Sequence, residues 1–133
     1  MSNARVAIAP APWSPRYTYV PALRVGAMVF LSGTTGTDDA GNITAPDDIV
    51  GQTRQIFRKF ERLLNEAGGS CDDIVQTTDF FITEENYRRT AEVRREVFRR
   101  GFPTATGVRV AALLRPGALI EISAIAVLQD APA

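Results

Sequence analysis

Glu121 has the most unusual setting of any acidic residue in the sequence. It lies between Ile120 and Ile122 in the apolar stretch ALIEISAIAVL, residues 118–128. Because carboxylates are rarely buried without a partner, one in such a strand either pairs with a cation or does chemistry, such as orienting a water molecule. We take Glu121 as the candidate catalytic residue. A structural ion pair with an arginine across an interface stays open as the alternative.

Composition excludes several other chemistries. The 133 residues contain no histidine and one cysteine, Cys71. Imidazole catalysis, histidine metal sites and an intramolecular disulfide are therefore impossible, and we expect no metal site. Cys71 follows a Gly-Gly-Ser loop without a base partner, so we interpret it as structural. Lys59 is the only lysine and lies within a predicted helix with no Gly-rich loop before it, which argues against Schiff-base or P-loop chemistry.

The charge balance predicts neither a nucleic-acid partner nor a membrane partner. Fifteen acidic and fifteen basic residues give a formal net charge of zero, so no global field attracts polyanions. Arginine pairs at 88–89, 94–95 and 99–100 are interleaved with glutamates, and ion pairs Glu84–Arg88 and Glu92–Arg95 are expected. No apolar run approaches the roughly 20 residues of a membrane span. Residues 1–12 lack the order of a signal peptide, so we expect a cytoplasmic protein.

The hydrophobic pattern predicts an α+β fold with a mixed sheet and two helices on one face. We predict one domain over residues 1–133, opening with an extended, irregular, proline-rich segment over residues 1–15. The predicted helices run from Asp47-Asp48 to Ala67, before a Gly-Gly stop, and from Glu84 to Arg100. In the second, Tyr87, Ala91, Val97 and Phe98 should face inward, and Arg88, Arg95 and Arg99 outward. The predicted strands are Arg24–Ser32, Ile74–Thr83, Thr106–Leu114 and Ala118–Leu128, the last two separated by the turn Arg115-Pro116-Gly117.

The last strand indicates an oligomer. Two helices can cover one face of the sheet, yet ALIEISAIAVL is nearly apolar on both faces. A strand of this kind needs a second cover. We therefore expect a closed homo-oligomer in which other copies of the chain cover the free face.

Four pieces of the sequence together resemble the Rid family of enamine/imine deaminases, also labelled endoribonuclease L-PSP. They are VGAMVFLSG, GQTRQIFRKFERLLNEAG, DDIVQTTDFFI and FPTATGVRVAALLRPGALIEISAIAV, in the family's order and spacing over about residues 19–128. The resemblance implies a chorismate-mutase-like fold and a homotrimer with small-molecule clefts between subunits. It also implies hydrolysis of reactive enamines or imines to 2-keto acids and ammonia, without a cofactor.

Site residues are carried over from the family position by position. The resemblance implies that Glu121 positions water and that Ser32 and Gly33 contribute backbone donors. A tyrosine that closes the pocket falls on Tyr19. Because SPRYTYVP departs from the family's usual Gly-Pro-Tyr, Tyr17 remains the alternative.

The sequence departs from the family at Ala105, which stands where the carboxylate-binding arginine falls. Alanine cannot form a bidentate clamp, and Thr106 and Gly107 leave a small polar surface beside it. Arg109 shares the strand face of Ala105 but lies about 13 Å along it, too far to mimic the clamp. It either lines the same cleft or pairs with an acidic residue at a subunit boundary. Arg24 is the other candidate replacement.

These observations lead to two functional hypotheses. The first is a Rid-superfamily deaminase or hydrolase acting on a small imine or enamine, with standard 2-imino acid hydrolysis placed in doubt by Ala105. The second is a non-catalytic homotrimer that binds a small metabolite as a sensor or chaperone-like module.

Overall fold

The computed structural model describes residues 4–129, which form an α+β domain built on one six-stranded mixed sheet. The sheet order is β1-β2-β3-β6-β4-β5, antiparallel throughout except between β4 and β5. The elements are β1 (Arg5–Ile8), β2 (Ala22–Val25), β3 (Met28–Thr35), α1 (Ile49–Ala67), β4 (Ile74–Phe81), α2 (Ala91–Val97), β5 (Thr104–Arg109) and β6 (Ile120–Val127).

Helix α1 covers one face of the sheet and confirms the predicted helix. The Asp48 side chain caps its start by accepting the backbone N–H of Gly51 at 2.9 Å. Gly68 ends it in the left-handed conformation, with φ 94°. The face toward the sheet is fully apolar at its centre, where Ile56, Phe60 and Leu64 are completely buried.

The predicted strand Arg24–Ser32 is wrong in one respect, because the structure divides it into β2 and β3. Gly26 adopts φ 61° and reverses the chain, so that Val25 pairs with Met28. A tight turn of this kind favours glycine at a positive φ. The apolar run looks continuous in the sequence because both arms of the hairpin belong to the same sheet.

The second helix is shorter than predicted. A 3-10 turn over Tyr87–Thr90 leads into the seven residues of α2. Asn86, at φ 60°, breaks any helix before that turn. After α2, the Asp72 carboxylate accepts the backbone N–H groups of Arg99 and Arg100, at 2.8 and 3.3 Å, and the chain turns away.

The side-chain pattern of this segment agrees only partly with the prediction. Phe98 is buried, as predicted, but Val93, which the sequence pattern did not single out, is buried completely. The outward arginines are exposed, namely Arg88, Arg95 and Arg99. The predicted ion pairs are replaced by others, namely Arg89–Glu92 at 3.5 Å, Arg54–Glu96 at 3.3 Å and Arg109–Glu84 at 3.4 Å.

The remaining boundaries differ by a few residues. Part of the segment predicted to be irregular, Arg5–Ile8, forms β1 at the edge of the sheet. Strand β5 begins and ends earlier than predicted, over Thr104–Arg109. The turn before β6 is confirmed: the N–H of Ala118 donates to the carbonyl of Arg115 at 3.1 Å, with Gly117 at φ 84°. In the part of the chain described, neither helix combines the length and apolar character that crossing a bilayer requires.

Strand β6 lies in the middle of the sheet and has two different faces. Its residues Ile120, Ile122, Ala124 and Ala126 are buried on the face that α1 covers. The opposite face is uncovered in a single chain. There Phe30, 40% exposed, lies opposite Ile125, and Met28 lies opposite the exposed Val127, so this free face is largely apolar at one end.

Candidate functional site

A cavity of about 520 Å³ lies where the proline-rich N-terminal segment meets β3, α1 and the turn before β6. It brings together five residues that were predicted from the sequence, namely Tyr17, Tyr19, Ser32, Gly33 and Glu121. It is also lined by Trp13, Lys59 and Arg115, for which the sequence predicted no site role. The volume falls in the range typical of small-molecule sites.

Glu121 faces this cavity as a half-buried carboxylate. Within residues 4–129 its side-chain oxygens make no hydrogen bond or ion pair, so its acceptor sites are open. It lies beside Gly33: a Cβ at that position would come within 2.6 Å of Glu121 Oε2. A carboxylate with open acceptor sites can bind a water molecule and accept its proton.

An irregularity in β3 shapes the floor of the cavity. The register between β3 and β6 shifts between Leu31 and Thr34, at Ser32 and Gly33. The Ser32 hydroxyl donates to the Val20 carbonyl at 2.6 Å, and its N–H donates to the Pro21 carbonyl at 2.9 Å. Ser32 therefore anchors the segment that carries the tyrosines, and both of its donors are used within the protein.

Three aromatic side chains form one side of the cavity, which we call the aromatic wall: Trp13, Tyr17 and Tyr19. Their ring centroids lie 4.6 to 5.6 Å apart, and the Trp13 indole N–H donates to the Tyr19 carbonyl at 3.2 Å. Both tyrosines line the cavity, so the choice between Tyr19 and Tyr17 as the residue that closes it stays open. The sequence contains one signal that could have predicted a site role for Trp13, namely the close spacing of three aromatic residues within seven positions.

Lys59 contributes a partly buried cation. Its ammonium group donates to Thr34 Oγ1 at 2.5 Å, to the Thr35 carbonyl at 2.8 Å and to Thr37 Oγ1 at 2.8 Å. These bonds use all three donors of an ammonium group. Lys59 thus fixes the chain that leaves β3 against α1.

The surroundings of Lys59 favour its neutral form. Its pKa falls from 10.5 to about 8, mainly because of burial and secondly because of the positive charge of Arg115, while Asp39 acts in the opposite direction. Arg115 is therefore close enough to Lys59 for their charges to interact. Its own guanidinium is exposed and makes no hydrogen bond or ion pair among the described residues.

The predicted residues of β5 do not join this cavity within one chain. Ala105, Thr106 and Gly107 are exposed on the edge strand, away from the cavity lining. Gly107 has a packing constraint of its own, because a Cβ there would lie 2.8 Å from the Tyr87 hydroxyl.

Both arginines considered as replacements for the missing clamp make contacts elsewhere. Arg109 Nη1 lies 3.4 Å from Glu84 Oε2, in an exposed ion pair. Arg24 donates from Nε to the Gly26 carbonyl at 2.9 Å and from Nη1 to the Ala67 carbonyl at 2.8 Å. Arg24 therefore links the β2–β3 turn to the last turn of α1, a structural role.

Cys71 is buried against α1, where its thiol donates to the Phe57 carbonyl at 3.6 Å. Burial, together with Glu61 and Asp72, raises the pKa of this thiol well above its usual value. A thiol of this kind is unreactive. Among residues 4–129, no three His, Cys, Asp or Glu side chains converge as metal ligands would.

This fold is shared by a class of small α+β proteins with known structures. A protein of the YjgF/YER057c/UK114 family from Mycobacterium tuberculosis, Rv2704, is 32% identical, with a TM-score of 0.80, over 94% of this chain and 100% of that one. YyfA of Yersinia pestis, a conserved Rid family protein of unknown function, is 30% identical, with a TM-score of 0.83, over 94% and 100%. PA3499 of Pseudomonas aeruginosa, also of unknown function, is 29% identical, with a TM-score of 0.84, over 96% and 94%.

The family model for endoribonuclease L-PSP matches residues 9–128. The chain therefore belongs to this family, known equally as the YjgF or Rid family, which confirms the resemblance drawn from its four sequence pieces.

Proposed function

We propose that this protein is a cofactor-independent hydrolase of the Rid type that deaminates a small imine or enamine metabolite. The observation that carries the proposal is Glu121. Its carboxylate is half-buried, faces a cavity of about 520 Å³ and has no partner among residues 4–129. Membership of a family whose best-known members perform this reaction supports the assignment.

The chemistry requires one activated water molecule. Glu121 orients the water and accepts its proton as the oxygen attacks the carbon of the C=N bond. The proton then passes to the nitrogen, which gives a carbinolamine. As its C–N bond breaks, the hydroxyl proton also moves to the nitrogen, so the products are a carbonyl compound and ammonia. An enamine enters the same route after it gains a proton from water at carbon and returns one to water from nitrogen, which gives the imine. The Ser32–Gly33 segment and Tyr19 bound the space in which the substrate lies.

We also propose that the protein is a homotrimer with clefts between its subunits. The uncovered sheet face carries Phe30, Ile125, Met28 and Val127, and a second copy would remove these side chains from water. In that assembly β5 of a neighbouring subunit, with Ala105, Thr106, Gly107 and Arg109, would complete the cleft. Light scattering in reducing buffer tests this, because a particle of about 14.5 kDa would contradict it.

The catalytic role of Glu121 is tested by Glu121→Ala. Imines generated from amino acids by an oxidase, aminoacrylate and aminomuconate-type enamines are screened for ammonia release. We expect the variant to lose turnover, by about 100-fold or more, while its oligomeric state is unchanged. Glu85→Ala, at an exposed position outside the cavity, is the matched control. Full activity of Glu121→Ala would show the mechanism to be wrong.

Ala105 supports a second candidate, a non-catalytic trimer that binds a small metabolite. Alanine removes the side chain that the family uses to bind a carboxylate. The variant Ala105→Arg separates the two functions. Gain of imine hydrolysis over an inert parent would favour the binding protein, whereas an active parent that loses turnover on its own substrate would exclude it.

We place the protein in the cytoplasm, with a small-molecule metabolite as its ligand and no nucleic-acid partner. Local ion pairs support the last point: Arg89 pairs with Glu92 at 3.5 Å, and Arg54 pairs with Glu96 at 3.3 Å. Arginines compensated in this way offer little to a phosphate backbone. A gel-shift assay with single-stranded RNA at physiological salt is expected to show no complex.

A further inference from the structure

Arg115 is the free cation of the cavity lining. Of the other two basic residues there, Arg62 is ion-paired with Asp39 at 3.1 Å, and Lys59 spends its three donors on protein oxygens. Arg115 makes no hydrogen bond or ion pair within residues 4–129. Its guanidinium lies over Gly41, where a Cβ would be 3.5 Å from Nη1. All five of its N–H donors are therefore available to a ligand.

The charge of Lys59 adds to that of Arg115. The two cations interact unfavourably, and an anion between or beside them would relieve this repulsion. Because all three N–H donors of Lys59 are already used within the protein, Lys59 would attract an anion through its positive charge and not through hydrogen bonds. The guanidinium of Arg115 contributes the planar fork that a carboxylate fits.

The aromatic wall supplies the second element of recognition. Tyr17 and Tyr19 remain 50% and 53% exposed although they contact each other and Trp13. Ring centroids at 4.6 to 5.6 Å leave no room for a ligand between the rings, so the trio presents an outer surface rather than a cage. Such a surface favours a planar π-system stacked or set edge-on against it.

We propose that the cavity selects a planar aromatic carboxylate, with its ring against the aromatic wall and its carboxylate on Arg115. On the function proposed above, on which this inference rests, the substrate is then an imine or enamine acid with an aromatic or conjugated side chain. The volume of about 520 Å³ accommodates such a ligand.

Binding can be measured directly because Trp13 is the only tryptophan in the chain. The full-length protein in its native oligomeric state is titrated with phenylacetate, cyclohexylacetate and phenylacetamide while Trp13 emission is followed. Cyclohexylacetate differs from phenylacetate in lacking an aromatic ring, and phenylacetamide differs from it in lacking the negative charge. We expect phenylacetate to bind saturably, cyclohexylacetate about fivefold more weakly and phenylacetamide about tenfold more weakly. Calorimetry checks each affinity independently of the fluorophore.

Variants assign the two contacts separately. Arg115→Gln should abolish the preference for phenylacetate over phenylacetamide, and Tyr17→Leu should abolish the preference over cyclohexylacetate. Arg95→Gln, at an exposed position outside the cavity, is the matched control and should bind as the parent does. Circular dichroism confirms that each variant is folded.

Equal affinity for phenylacetate and cyclohexylacetate, no saturable binding of either, or unchanged binding by Arg115→Gln would overturn the inference. Loss of phenylacetate binding in Arg109→Gln with Arg115→Gln unaffected would also overturn it, by placing the carboxylate at β5. None of these measurements depends on turnover. A failed ligand class is therefore distinguishable from a failed deaminase assignment, which the activity of Glu121→Ala tests.

Discussion

The Glu121 carboxylate occupies the space that a side chain at position 33 would need. A Cβ on Gly33 would lie 2.6 Å from Glu121 Oε2 and 3.3 Å from its carboxyl carbon. The φ angle of Gly33 is not in the left-handed region, so its backbone accepts other residues. A Cβ at position 33 would therefore clash only with the flexible end of the Glu121 side chain, which can move aside, and with no backbone atom.

We expect Gly33→Ala to separate stability from activity. The methyl group displaces the Glu121 carboxylate, so turnover should fall by about 100-fold, as for loss of a general base. The free energy of unfolding should change by less than about 1 kcal/mol, because the displaced group is flexible. Denaturant unfolding and ammonia release measure the two effects. A variant that is fully active would contradict the proposed position of the water molecule.

Gly36→Ala should have the opposite profile. A Cβ at Gly36 would lie 2.7 Å from Gln52 Cα and 2.8 Å from the Gln52 carbonyl oxygen, both backbone atoms of α1. Because a helix backbone cannot move aside cheaply, we expect a loss of about 1–3 kcal/mol in the free energy of unfolding. Thermal and denaturant unfolding test this, with Gly33→Ala as the matched glycine substitution. Parent-like stability would show that the loop after β3 is free to shift.

Lys59 is expected to titrate near pH 8. Because its pKa falls from 10.5 to about 8 on folding, the unfolded chain binds more protons between these values. The contribution of Lys59 to the free energy of unfolding should therefore rise with pH across that window. Peptide mapping after amine-selective acylation isolates Lys59, the only lysine. A labelling midpoint near 10.5 would contradict the buried setting, and Lys59→Met should lack the pH-dependent increment.

Tyr87→Phe should destabilise the protein without affecting the cavity. The Tyr87 hydroxyl donates to Asp79 Oδ2 at 2.7 Å, and Arg94 Nη2 lies 2.6 Å from the same oxygen. Burial, with the hydrogen bond to Asp79, raises the pKa of Tyr87 above its usual value, so the phenol remains a donor. Losing it should cost about 1.5–3 kcal/mol in denaturant unfolding. Unchanged phenylacetate binding is the control, and undiminished stability would contradict the role of this bond.

Helix α1 could be predicted because its signals are local. An acidic cap at Asp48, a helical apolar period and a glycine stop at Gly68 all lie within the segment that they define. The β2–β3 hairpin could not be predicted, because its one signal, Gly26, sits within an apolar run. The short α2 depends on Asp72, a residue distant in sequence that binds the backbone after the helix.

The residues of the candidate site also fall into two groups, those that could be predicted from the sequence and those that could not. Glu121 was identified from its setting in an apolar strand and from a family motif, and Gly33 was identified from a family motif alone. Lys59 and Arg115 were given no site role, because their roles arise only when α1 and the turn before β6 meet at one cavity. Within one chain, the only β5 contact relevant to the site among the described residues is the ion pair of Arg109 with Glu84. That β5 of a neighbouring subunit completes the cleft remains a prediction.

The position of β6 governs when this fold can form during synthesis. The strand that joins β3 to β4 in the centre of the sheet is the last of the six to leave the ribosome. Until then the other strands can pair only as two separate pieces of sheet, β1–β3 and β4–β5, in which β3 and β4 each lack the neighbour that β6 provides. The same strand carries Glu121. The sheet and the candidate catalytic carboxylate are therefore completed in one late step, and a nascent chain released before that step has neither.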